Sequence, residues 1–501
     1  MLFRVHLDRW VLFLLLASLR PEVAVSRDFY ETDSTASCVD LLQVGLQMRG
    51  QLGLADAKAG DLFVQELANQ DDASYTGTIS IGGQQLQAIL DTGSFELVVF
   101  STGCRGCGAA GKTGFNESLS RTFKNGNLMQ QLSYGSGDTL CTDATDVLTI
   151  GPLSVPKQPL WLVREADMAI LGEADFQAIL GLGPPAAVKQ QAKMDREQLQ
   201  KMEDKLKGWG AIVPARLKSR IEAKMRADTV LENLDDSVPA NLQMRYMSVC
   251  FGAETGSKGY LVWNDKAPTS RPEPFRRLSV VGAVTWGLSL KNVRLVQRDG
   301  SSHTVGCPQG CGAILDTGTS LVSGPTTTIS AIGKLLEGMG ANCAQQETLP
   351  YLEFELGGET ITLPPDAYIG FVTGIMPAPW RLLFKQKPFI KVQQCELLMM
   401  DTGESKTDAG DLWIMGLPFF RKYYTTFDFG EPSAGHIEDI WIREADPDCN
   451  PAAENSSVFN SIAAKNYSKF HHVNVSLRQI DQSKLRLPAW MANRTATPLS
   501  L

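Results

Sequence analysis

The chain has 501 residues, enough for two or more domains with substantial cores. Charged residues make up 20% and the formal net charge is −8, so there is no basic field to attract nucleic acid. Only five histidines occur (His6, His303, His436, His471 and His472), leaving few candidates for a Ser-His-Asp arrangement or a histidine-metal centre.

Residues 1–26 read as a secretory signal peptide: Arg4 and Arg9 flank the start of an apolar run, Trp10 to Leu19, and Ala24-Val25-Ser26 offers a small-x-small cleavage site. That run is too short to be expected to span a bilayer, and no long apolar stretch follows, so no membrane contact is expected after leader removal. Residues 27–72 read as an N-terminal extension or pro-segment, with amphipathic helices expected around Val39 to Leu52 and Asp61 to Ala68.

From Tyr75 the pattern turns to strands, with Tyr75, Ile79 and Ile81 on one face and Thr76, Thr78 and Ser80 on the other. Ile89-Leu90-Asp91-Thr92-Gly93-Ser94 then delivers a carboxylate from a buried strand onto a hydroxyl-lined turn. Tyr134-Gly135-Ser136-Gly137 sits in a hairpin-like context whose glycines allow it to bend over a cleft. Between about residues 186 and 233 the composition shifts to Lys, Arg, Glu, Gln, Met and Ala, which reads as two helices inserted into an otherwise β-rich chain. This insertion is either a solvated helical hairpin or a partner-docking or processing site. A polar, proline-containing stretch from Asn264 to Pro274 marks a domain boundary: 73–264 forms one lobe, 265–445 a second, and 446–501 a polar tail.

The second lobe repeats the first acid segment almost letter for letter as Ile314-Leu315-Asp316-Thr317-Gly318-Thr319. Ile179-Leu180-Gly181-Leu182 lies 88 residues beyond Asp91, and Ile414-Met415-Gly416-Leu417 lies 98 beyond Asp316, so two similar half-molecules are indicated. A third copy, Asp401-Thr402-Gly403, runs into the polar Glu404 to Asp408 and reads as a turn. If the two acid loops face each other, like-charge repulsion keeps both carboxyls from ionising and one proton is shared. One group then acts as base toward a water and the other as acid toward a carbonyl oxygen, which is the chemistry of peptide hydrolysis.

These residues resemble the pepsin-like aspartic endopeptidases. The similarity is carried by Tyr75 to Gly82 (YTGTISIG), Gly310 to Pro325 (GCGAILDTGTSLVSGP) and Trp413 to Phe429 (WIMGLPFFRKYYTTFDF), spread in order over most of residues 73–430. The resemblance implies an all-β, bilobal pepsin-like fold, with the helical insertion in the first lobe and Asp91 and Asp316 as the catalytic pair. Thr92, Gly93, Ser94, Thr317, Gly318 and Thr319 would support the pair. Tyr134, Gly135 and Ser136 would form a substrate-binding flap. It implies a monomer that acts on extended polypeptides without metal or organic cofactor. Two departures bear on activity: Val98 stands where the family usually has a tryptophan supporting the flap tyrosine, and Leu417 where many relatives have an acid. A non-catalytic peptide-binding or inhibitory member of the fold is the rival reading. Relatives often have a basic pro-segment, whereas residues 27–72 contain only Arg27, Arg49 and Lys58, so masking of the site by charge is not expected here.

Ten cysteines behind a leader point to disulfides, although Cys104-x-x-Cys107 and Cys307-x-x-x-Cys311 by themselves also match redox or zinc pairs. The resemblance implies Cys104–Cys107, Cys307–Cys311 and Cys343–Cys395 bridges, and leaves Cys38, Cys141, Cys250 and Cys449 with three possible pairings. Sequons at Asn116, Asn455, Asn466, Asn474 and Asn493 are glycosylation candidates and fit a chain of the secretory pathway, secreted or lumenal in a vacuole- or lysosome-like compartment.

Overall fold

A computed structural model of the chain describes residues 62–185, 187–208, 237–341, 343–375, 391–403, 405–431, 439–446, 449 and 474–475. The signal peptide, the expected helix at Val39 to Leu52, and the sequons Asn455, Asn466 and Asn493 lie outside them.

The first half opens with β1 (Phe63–Gln70), β2 (Ser74–Ile81), β3 (Gln84–Asp91) and β4 (Leu97–Arg105). A long antiparallel meander follows, β5 (Lys124–Tyr134), β6 (Gly137–Ile150) and β7 (Leu153–Met168), then the short buried β8 (Ala178–Gly181). The helix expected at Asp61 to Ala68 is instead β1. Leu67 is buried and paired by the neighbouring strands, while Gln65, one alternation earlier on the same face, is buried too. Its amide is satisfied on both sides, donating to Thr78 O and accepting from Trp263 Nε1. A polar residue on the inner face thus hides the period-two pattern that would have announced a strand.

Of the helical insertion, a helix from Ala187 to Gly208 is described. The chain then returns to strands with β9 (Tyr246–Phe251), β10 (Gly259–Trp263), β11 (Arg276–Leu278), β12 (Gly287–Val296), β13 (Ser302–Gly306), β14 (Cys311–Leu315) and β15 (Val322–Gly324). After a helix at Thr326–Gly338 come β16 (Tyr351–Leu356), β17 (Glu359–Leu363), β18 (Ile369–Ile375), β19 (Lys391–Leu397), β20 (Met399–Asp401), β21 (Lys406–Thr407) and β22 (Gly410–Met415). A short helix, Leu417–Lys422, leads to β23 (Tyr423–Asp428) and β24 (Ile440–Glu444); β25 (Asn474–Val475) pairs parallel to β18. The sequon residue Asn474 therefore contributes backbone to a strand.

Strands dominate the described residues, as the all-β fold requires. The order β11-β24-β23-β9-β10-β1-β2-β3-β8-β4-β7-β6-β5 forms one continuous sheet, and β17-β16-β12-β14-β22-β15-β20 is the spine of a second. The first sheet sets β24 and β23, from late in the chain, between β11 and β9, and continues through β10 to β1 near its start, so the two halves share one platform. Trp286 reinforces this join: its indole donates to Leu182 O at 3.0 Å and its ring packs on Phe427 and Phe429.

The expected internal repeat is present in the pairing. In the first half β3 runs parallel to β8, with Asp91 opposite Gly181, and β8 runs antiparallel to β4. In the second half β14 runs parallel to β22, and β22 meets β15 antiparallel. The glycine closing each apolar segment is required by close approach: a Cβ on Gly181 would lie 2.4 Å from the Phe95 carbonyl carbon, and one on Gly416 would lie 2.2 Å from Thr319 O.

The bridges Cys104–Cys107, Cys307–Cys311 and Cys343–Cys395 are formed, and Cys250 pairs with Cys449 across 199 residues. Cys141 is a buried free thiol. Asn116 precedes a single 3-10 turn, where its Oδ1 accepts from Ser118 N.

Candidate functional site

Both acid loops leave their strands at the same geometric point and meet. Thr92 N donates to Thr317 Oγ1 and Thr317 N donates to Thr92 Oγ1, each at 3.0 Å. Each hydroxyl in turn donates to a carbonyl across the pseudo-symmetry, Thr92 Oγ1 to Leu315 O at 2.9 Å and Thr317 Oγ1 to Leu90 O at 2.5 Å. Four reciprocal bonds between buried groups therefore lock the loops together, since every one of these polar atoms would otherwise be stranded away from water.

This lock brings Asp91 and Asp316 face to face against the opposite loops. A Cβ placed on Gly93 would lie 2.5 Å from Asp316 Cγ, and one on Gly318 would lie 2.5 Å from Asp91 Oδ1. Glycine at both positions is what lets each carboxyl lie against the opposing backbone. The inner oxygens are held alike: Gly93 N donates to Asp91 Oδ1 at 2.9 Å and Gly318 N to Asp316 Oδ1 at 2.7 Å. The outer oxygens are not. Thr319 Oγ1 donates to Asp316 Oδ2 at 2.6 Å, whereas Ser94 Oγ is buried and makes no hydrogen bond of ordinary geometry, although it lies close enough to Asp91 to favour the ionised form.

Burial, followed by the negative charge of Asp316, holds the Asp91 carboxyl well above the usual carboxylate range; the Ser94 hydroxyl and the Gly93 amide offset this only in part.

Above the first loop, β5 and β6 form the expected hairpin, with Tyr134 paired to Gly137 and Gly135-Ser136 at its tip. Gly137 has φ +144°, and a Cβ there would lie 2.0 Å from Asp167 O, so the hairpin turns back tightly over β7. Tyr134 packs, partly buried, against an apolar cluster that includes Phe95, Val98, Leu132, Cys141 and Trp161. Burial, then the charge of Glu96, push its phenol well above the normal range, with smaller contributions from Cys141 and Asp91. Val98 is fully buried in that cluster and offers no polar group to the tyrosine.

Leu417 is buried, and its amide donates to Thr319 O at 2.9 Å, tying the second apolar-Gly segment to the second acid loop. The third Asp-Thr-Gly copy reproduces the local turn: Gly403 N donates to Asp401 Oδ1 at 2.6 Å, and Thr402 Oγ1 donates to Leu412 O at 3.1 Å. Asp401, however, is exposed and its oxygen accepts from Thr326 Oγ1, so this copy closes a turn away from the paired acids.

Several supports were not legible from the motifs. Ser320 Oγ donates to Ala73 O, linking the second acid loop to the β1–β2 turn. In that turn, Asp72 Oδ1 accepts from Asn69 Nδ2 at 2.8 Å and Gly256 N at 3.0 Å, while the buried Arg421 guanidinium donates to Asp72 O at 2.8 Å. Among the described residues, no group of three or more His, Cys, Asp or Glu side chains could hold a metal ion, and no helix is long and apolar enough to cross a membrane.

Comparisons with known proteins identify the family of the chain. The chain is 26% identical to pepsin A of Bos taurus over 380 residues, covering 74% of this chain and 86% of that protein. It is 27% identical to renin of Rattus norvegicus over 375 residues, covering 72% and 78%, and 28% identical to gastricsin of Homo sapiens over 391 residues, covering 75% and 84%. The model of the eukaryotic aspartyl protease family matches residues 74–206 and 242–437, and the chain belongs to that family.

Proposed function

We propose that the protein is an aspartic endopeptidase in which Asp91 and Asp316 hydrolyse the peptide bonds of extended polypeptides. The observation that carries this reading is the reciprocal threonine lock, which presses two buried carboxyls against opposing glycines and leaves one of them with a raised pKa. Two acids held in this way share a proton. In the reaction, the ionised member takes a proton from a water as its oxygen attacks the scissile carbonyl carbon. The protonated member gives its proton to the carbonyl oxygen, yielding a neutral gem-diol. The carboxyl that took the water proton then gives it to the amide nitrogen, the other carboxylate takes a proton from a diol hydroxyl, and the C–N bond breaks to release amine and acid with the pair again holding one proton. The Gly93 and Gly318 amides and the Thr319 hydroxyl hold the carboxyl planes fixed throughout, so little reorganisation accompanies the charge movement.

The β5–β6 hairpin acts as the flap, with Tyr134 above the acids and the backbone of Gly135 and Ser136 available to the extended substrate. The enzyme acts as a monomer, since both acids are on one chain, and it works within the secretory route, where its disulfides are stable. The testing experiment is cleavage of an unstructured protein substrate from acidic to neutral pH, comparing the wild type with Asp91→Asn and adding a statine-type inhibitor. Inhibitor-sensitive cleavage that disappears in the variant supports the dyad. A folded wild type that binds inhibitor but never cuts would instead establish a binding protein.

A further inference from the structure

Cys104-Arg105-Gly106-Cys107 closes a bridge at the far end of β4, the strand that leaves the first acid loop. Its two ends differ in access. Cys104 is partly exposed, with its sulfur at the surface 3.5 Å from Arg105 O, whereas Cys107 is 1% exposed and packs in an apolar cluster with Phe100 and Ala110. The backbone around the pair is held by contacts other than the sulfur bond. Arg105 pairs in register with Glu165, and its guanidinium binds that carboxylate at 2.6 Å. A Cβ on Gly106 would lie 2.2 Å from Ala166 O and one on Gly108 would lie 2.2 Å from Leu171 O, so both glycines, each at positive φ, fit flush against neighbouring carbonyls. Cys107 O in turn accepts from Gly111 N at 3.2 Å. Breaking the bond therefore leaves the two cysteines side by side. The other bridges lack this combination: both cysteines of Cys307–Cys311 and of Cys250–Cys449 are buried, and Cys343–Cys395 joins a 3-10 turn to β19 across 52 residues.

We propose that Cys104–Cys107 is a thiol–disulfide exchange site, entered at Cys104 by a small thiol of the glutathione class. The incoming thiolate attacks Cys104 Sγ. The Cys104–Cys107 bond breaks, Cys107 departs as a thiolate and takes up a proton, and Cys104 is left carrying a mixed disulfide. Burial of Cys107 closes the alternative point of attack. Two exits are open to the mixed disulfide. In one, Cys107 loses its proton, attacks Cys104 Sγ and expels the small thiol, which restores the bridge. In the other, a second small thiolate attacks the sulfur of the bound one: Cys104 leaves and takes up a proton, the protein has gained two electrons as a dithiol, and the small thiol is oxidised to its own disulfide. Because the backbone keeps Cys107 beside Cys104, the first exit is favoured and the closed bridge is the resting state. The site opens and closes without unfolding the lobe that carries it.

The test uses the full chain, purified with its bridges formed and exposed to reduced glutathione at about pH 8, near the ordinary thiol pKa. Samples are quenched in acid at timed intervals, alkylated and mapped by peptide mass, with intrinsic fluorescence followed in parallel. Cys104 and Cys107 should become open to alkylation at least about tenfold faster than the cysteines of the other three bridges, with the folded fluorescence unchanged. Adding oxidised glutathione should restore the Cys104–Cys107 bridge while Cys141 stays a thiol. Cys107→Ser, given oxidised glutathione, should retain an adduct on Cys104, and Cys104→Ser should take up at least about tenfold less on the buried Cys107. Opening no faster than that of Cys343–Cys395, an adduct that favours Cys107, or opening that coincides with loss of the folded fluorescence would each overturn the proposal. If either variant fails to fold, the wild-type time course decides alone. None of these readouts needs peptide cleavage, so the outcome is independent of the endopeptidase reading.

Discussion

The lock between the acid loops lends itself to a quantitative test with Thr92→Val. Valine keeps the branched shape but removes the hydroxyl that accepts from Thr317 N and donates to Leu315 O. Thr92 is 1% exposed and Thr317 is 5%, so water is not at hand to replace either bond. Each orphaned buried group costs about 1–3 kcal/mol, which gives about 2–6 kcal/mol for the pair, with relaxation of the loop favouring the lower end. Thr92→Ser retains both bonds and loses one methyl group, for which a cost of about 1 kcal/mol is expected. Denaturant unfolding of both variants, followed by fluorescence, supplies the comparison, and peptide cleavage reports whether the acids still face each other. A Thr92→Val protein within about 0.5 kcal/mol of wild type, the range of ordinary surface changes, would show that the reciprocal bonds do not hold the loops. So would a Thr92→Ser protein as unstable as Thr92→Val.

Asp91 predicts a pH dependence of stability. Its folded pKa lies above the unfolded value, so its favourable contribution is complete below about pH 4 and is lost as pH rises through the folded value. Asp91→Asn should therefore raise the thermal midpoint near neutral pH and give no gain at pH 3, as read by calorimetry at both values. Arg421→Met removes the cation held against Asp72 and should destabilise the protein by about 3 kcal/mol, with partial recovery on adding Asp72→Asn; chemical denaturation measures both. Cys141 should resist iodoacetamide at pH 8 in the folded protein and react fully after unfolding, because its neutral thiol is buried; mass spectrometry counts the adducts.

The β1 strand also bears on processing. It lies between β10 and β2 in the shared sheet, and the turn after it carries the Arg421 clasp and the Ser320 contact. A chain shortened to begin at residue 73 would open that sheet and remove a support of the second acid loop. Such a truncation should yield insoluble protein, whereas a cut before Phe63 leaves these contacts whole.

The sequence by itself determined what short-range chemistry determines. A strand ending in Asp-Thr-Gly closes a turn in which the glycine amide meets the carboxyl, and this happens at all three copies, Asp91, Asp316 and Asp401 alike. The repeat of acid loop and apolar-Gly segment was legible because both parts are written in adjacent letters, and the three disulfide pairings and the hairpin at Tyr134 followed from the resemblance those letters carry. What only the tertiary structure decided is which carboxyls oppose each other and what surrounds them. Opposition requires Thr92 to reach Leu315 and Thr317 to reach Leu90, contacts separated by more than 220 residues that no local pattern encodes. The same limit explains the strand at Phe63–Gln70, whose polar inner residue Gln65 is satisfied only by Trp263 and Thr78, and the bridge from Cys250 to Cys449. Local letters fix turns and strands; burial and charge at the site come from partners that folding alone brings within reach.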